Sequence, residues 1–193
     1  MSALAGLLHL TALVLVASGA QKVVQPLPAA RAMATAGIRL PGRLHPLAGR
    51  TLGLGEAATG LAVFAAPHPV SAGWLGIAYV ALAGFVVALR RRDADAGCGC
   101  FGAASTPPTT AHVVLDLAAA AVALGTAFTG VPDVVDVLDE GAGVAVPYAL
   151  LVVLGATLVL LAPTLLAAVR PTGRADPVPA FGPRPAGPPG ALR

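Results

Sequence analysis

The stretch "VSAGWLGIAYVALAGFVVALRRR", Val70 to Arg92, decides the fold class. From Val70 to Leu89 it carries no charge, and three arginines then follow in a row. A helix needs roughly 20 apolar residues to cross the hydrocarbon layer of a bilayer. This run has that length and ends in charges that stay in water. It predicts a membrane-spanning helix.

Composition extends the reading to the whole chain. Of 193 residues, 56% are hydrophobic and 11% charged. Soluble domains carry about 25% charged residues, so lipid is the expected solvent for most of this surface. A net charge of +3 with 4% aromatics and no basic stripe does not point to nucleic acid. Four further runs reach spanning length: Ala3 to Ala20, Leu47 to Ala66, Ala111 to Phe128 and Val144 to Val169. "SGA" before Gln21 resembles a leader cleavage site, but no basic segment precedes the first run, so it is read as a retained span.

The expected fold is an all-α integral membrane protein of five transmembrane helices. Residues 1–130 form a four-helix core. Residues 131–169 add an acidic external loop and the fifth helix, and residues 170–193, rich in Pro and Gly, form a disordered tail. Between the first two spans a short surface helix is expected around Ala29 to Ala36.

Basic residues favour cytoplasmic loops. Lys22, Arg31, Arg39, Arg43 and Arg50 lie between or at the ends of the first two spans, Arg90 to Arg92 follow the third, and Arg170, Arg174, Arg184 and Arg193 follow the fifth. Every Lys and Arg thus falls on one side of a five-span topology. The opposite loops hold Asp133, Asp136, Asp139 and Glu140. The expectation is a multi-pass plasma-membrane protein with its N-terminus outside and its C-terminus in the cytoplasm.

The only cysteines, Cys98 and Cys100, sit just past the arginines in "CGCFG". Cytoplasmic placement disfavours a structural disulfide. The spacing leaves three readings. The pair could cycle between dithiol and a small, easily reduced disulfide ring, with Gly99 removing a steric obstacle. It could offer two soft ligands with His112 as a third, although no fourth ligand is evident and neither a metal nor another cofactor is expected. Or both could be small residues packed at a turn.

Ionisable groups inside spans are expensive and usually face the bundle interior, paired or functional. Glu56 lies about 9 Å of helix rise past Arg50, and Asp116 sits at a similar depth, one turn beyond His112. With Lys22 these form a candidate membrane-embedded polar cluster near the basic face. Lys22 and Arg50 are the two cations that could pair with Glu56. His9, His45 and His68 lack such company.

"SGAQKVVQP" closing the first span, the acid in "LGLGEAATGL", and "CGCFG" after a basic run together resemble the MauE-type methylamine-utilisation membrane proteins, a branch of the DoxX-like group. The resemblance covers about residues 3–130. It implies a redox-associated DoxX-like four-helix membrane core and an accessory role in maturing a partner enzyme such as methylamine dehydrogenase. It also implies a thioredoxin-like or membrane redox partner, with Cys98 and Cys100 as the redox pair exchanging electrons or disulfides and Lys22 and Glu56 as family positions. Asp116, the fifth span and the tail depart from the family pattern. The rival expectations are a non-catalytic assembly factor, or a small proton-coupled transporter or quinone-binding bundle using Glu56 and Asp116.

Overall fold

A computed structural model describes residues 2–38, 41–92, 109–130 and 133–169. Those residues form helices joined by short turns and irregular segments, with no strand among them. The elements are α1 (Ser2–Val24), α2 (Pro26–Thr35), a 3-10 turn (Gly42–Leu44), α3 (His45–Ala65), α4 (Pro69–Arg92), α5 (Thr110–Thr129), α6 (Val134–Asp139) and α7 (Ala142–Val169). The expected tail, residues 170–193, and the cysteine segment lie outside the described residues.

Among the described residues, four helices are long and apolar enough to cross a membrane: Ala3–Val24, Pro69–Arg92, Thr110–Thr129 and Ala142–Val159. Their outward faces are apolar and exposed, as at Trp74, Val114, Leu115, Leu154 and Leu158. So much contiguous apolar surface suits lipid, not water. The all-α membrane fold is therefore the architecture of this chain.

α3 is the instructive exception. At 21 residues it has the length, but Arg50, Glu56 and its glycines dilute its apolarity. Its place in the bundle comes from contacts instead. Gly49 meets Pro26, Gly53 meets Gly19, and Gly60 meets Ala12, so α3 runs antiparallel to α1 through the same depth. α1 is the central helix, and Gly6 against Leu151 with Leu10 against Gly155 shows α7 running parallel to it. Gly76, early in α4, packs on Ala120 and Leu124, late in α5, so those two are antiparallel. Leu8, Ala12, Leu15, Val63, Leu75 and Ala123 fill the core between α1, α3, α4 and α5.

The short surface helix starts earlier than expected. α2 opens with Pro26, whose fixed φ suits a helix start. It buries Pro26, Ala29, Ala30 and Ala32, and Ala32 and Ala36 pack on Phe85 and Leu89 of α4. α2 thus roofs one end of the bundle. At the other end Asp133 caps α6, accepting from the Asp136 amide at 2.8 Å. Val137 of α6 packs with Ala5, Tyr148 and Val152.

This topology separates charge. Among the described residues, every Lys and Arg lies at or near the end that α2 roofs, where α1 and α4 finish and α3 and α5 begin. Asp133, Asp136, Asp139 and Glu140 lie at the opposite end.

Candidate functional site

Lys22 occupies the last turn of α1, and Ser18 lies one turn earlier on the same face. Glu56 projects from the middle of α3. The Lys22 Nζ donates to Glu56 Oε2 at 2.6 Å and to Ser18 Oγ at 2.6 Å, and Ser18 Oγ donates to the same Glu56 oxygen at 3.2 Å. The two charged side chains are only 3% and 5% exposed. Of the two cations available to Glu56, the structure puts Lys22 in bonding distance, while Arg50 stays exposed.

Small residues make the pair possible. A Cβ on Gly53 would stand 2.5 Å from the Gly19 carbonyl oxygen and 2.8 Å from Lys22 Cβ. Gly19 and Gly53 each lie within a turn of a charged partner, so the two backbones touch just where the ion pair forms. Desolvating two ions is expensive, and their attraction offsets it only with good geometry and extra hydrogen bonds. Ser18 supplies such bonds to both ions. The second Glu56 oxygen, Oε1, is buried without a hydrogen-bond partner among the described residues.

Beside the pair lies a cavity of about 430 Å³. Met33 of α2, Leu52 of α3, and Leu82 and Phe85 of α4 line it, with Lys22 and Glu56 in its wall.

The other candidates are placed differently. His112 serves the start of α5: its amide donates to Thr109 Oγ1 at 3.4 Å, and its Nδ1 accepts from the Thr109 amide at 3.3 Å. This is a capping box with histidine in the usual Glu or Gln position. Asp116 is half-buried, one turn further along α5. The Tyr79 hydroxyl of α4 donates to the Thr11 carbonyl at 2.7 Å. Cys98 and Cys100 lie outside the described residues, in the segment that joins the basic end of α4 to α5. Among the described residues no group of three His, Cys, Asp or Glu could hold a metal ion.

One buried polar contact escaped the sequence reading. His9, which has no ionisable neighbour along the sequence, is fully buried and its Nδ1 lies 2.8 Å from the Tyr148 hydroxyl. Its ring meets Phe64 edge-on at 5.3 Å between centroids. The contact fastens α7 to α1 and α3. The available signal was the rarity of an ionisable group inside a span.

The family model of the methylamine utilisation protein MauE matches residues 1–132. The chain belongs to the MauE family. Comparison with curated proteins and with solved structures found no significant match. The MauE match takes in α1 to α5, and so includes Lys22, Glu56, the cavity and the segment bearing both cysteines. α6 and α7 lie beyond it, and the His9–Tyr148 contact joins that addition to the MauE core.

Proposed function

We propose that this protein is a membrane accessory factor of methylamine utilisation that exchanges disulfides with a thioredoxin-like partner through Cys98 and Cys100. Membership of the MauE family fits a methylamine-utilisation accessory role, and the match over residues 1–132 is the observation that carries the reading. It spans the "CGCFG" segment, which holds both thiols of the chain. A thiolate of the partner attacks the Cys98–Cys100 disulfide and forms a mixed disulfide, releasing the other cysteine as a thiolate. The partner's second thiol then resolves it. Two electrons and two protons pass from the partner dithiol to Cys98 and Cys100, and the partner leaves as a disulfide. The Lys22–Glu56 pair holds α1 to α3.

Thiol–disulfide exchange runs in both directions, and when Cys100 attacks an oxidised partner, Cys98 is the thiol that resolves the mixed disulfide, so removing Cys98 should stall the exchange there. In Cys98→Ser, Cys100 is expected to retain the partner as a dithiothreitol-sensitive adduct on a non-reducing gel, identifiable by mass spectrometry. Cys98→Ser/Cys100→Ser should give none. An identical pattern from both variants would reject the exchange.

The side of the membrane follows in this reading from charge. With the basic end in the cytoplasm, a reporter fused after Arg170 should behave as cytoplasmic and one inserted near Asp136 as external. The inverse pattern would move the cysteine segment to the outer face, together with any partner.

A further inference from the structure

We propose that the cavity beside Glu56 binds a neutral, membrane-soluble molecule with a hydroxyl group at one end and a narrow apolar body. Three observations define the ligand. The volume, about 430 Å³, lies within the range of small-molecule sites. The lining is apolar from Met33 and Leu52 to Leu82 and Phe85, which calls for a hydrocarbon body. The exceptions are Thr51 and Thr59, whose hydroxyls donate to the Ala48 and Gly55 carbonyls of their own helix, and the wall formed by Lys22 and Glu56, where Glu56 Oε1 is buried with no hydrogen-bond partner among the described residues.

A carboxylate oxygen only accepts, so its missing partner is a donor. Charge narrows the choice further. Glu56 is already neutralised by Lys22 at 2.6 Å, so an ammonium or a carboxylate in the cavity would add an uncompensated ion in a low-dielectric site. A hydroxyl satisfies Oε1 without that penalty. Aliphatic alcohols and phenols share this chemistry.

The cavity has depth to match. It reaches from Ala29 and Met33 under the α2 roof to Thr59 and Ala78. Its α3 wall includes Gly55, where an added Cβ would meet nothing within 4 Å. A side chain introduced there would enter the space without disturbing the ion pair.

The full chain in phosphatidylcholine nanodiscs would be irradiated with hexadecanol bearing a diazirine and an alkyne, and tagged peptides located by mass spectrometry. Tags should fall on residues 51–59 and 78–85. Unlabelled hexadecanol or nonylphenol should compete, and which of them does so better distinguishes the two sources of the hydroxyl. Hexadecyl methyl ether, which cannot donate, should compete about tenfold less well. Gly55→Phe and Thr59→Phe, which fill the cavity from α3, should each reduce tagging while the protein still elutes as a single species. Competition by the ether equal to that by the alcohol would overturn the proposal, even if neither variant folded. So would tags spread over the lipid-facing surfaces of α5 and α7.

Discussion

Glu56→Ala is expected to lower membrane yield and the detergent unfolding temperature sharply, and Lys22→Met in the same chain to restore part of the loss. In the single variant the Lys22 ammonium keeps its burial, 3% exposed, but loses its 2.6 Å partner. Removing one member of a buried pair costs about 3–5 kcal/mol, because an uncompensated charge stays behind. Ser18 can still accept from Nζ, yet a hydroxyl does not neutralise an ion. The double variant removes both charges and leaves a mainly apolar gap, a smaller penalty. The reverse single variant, Lys22→Met, should resemble Glu56→Ala. If Glu56→Ala matched the parent in yield and unfolding temperature, the carboxylate would have to be solvated instead of buried.

Gly53→Ala should be nearly as damaging, although it adds one methyl group. That group would stand 2.5 Å from the Gly19 oxygen, 2.8 Å from Lys22 Cβ and 3.0 Å from the Val23 nitrogen. These are backbone atoms and the root of a side chain, so none can swing aside. α1 and α3 must move apart, stretching the Lys22–Glu56 bond in the process. Overpacking typically costs about 1–3 kcal/mol, and weakening the ion pair adds to it. Gly84→Ala is the control, since nothing lies within 4 Å of its added Cβ. There the gain in helix propensity, up to about 1 kcal/mol, should leave stability equal or higher. Equal unfolding temperatures for the two variants would mean that α1 and α3 do not touch at this seam.

The spans were legible because a bilayer imposes length and apolarity directly, and α1, α4, α5 and α7 meet both demands. α3 was legible as a length of chain between charges, while the reason it packs so closely was not. A glycine shows in a sequence, but which backbone it touches depends on the register between helices. The same limit applied to Glu56. Its burial could be argued from its position inside a span, yet the choice between Lys22 and Arg50 needed the packing of α1 on α3. His9 and Tyr148 are 139 positions apart, and no local pattern links them. The cavity was invisible for a related reason, since it exists only where α2, α3 and α4 leave space between them. His112 was read as a possible ligand, but its bonds to Thr109 belong to the start of α5.

The redox proposal rests on two thiols that have only each other as partners within the chain. Thiol labelling in isolated membranes tests it most directly. After mild oxidation, a membrane-permeant maleimide is expected to modify neither Cys98 nor Cys100, and after dithiothreitol to modify both, as counted by intact mass. Modification of both cysteines after oxidation, just as after dithiothreitol, would contradict the reversible disulfide, and with it the exchange.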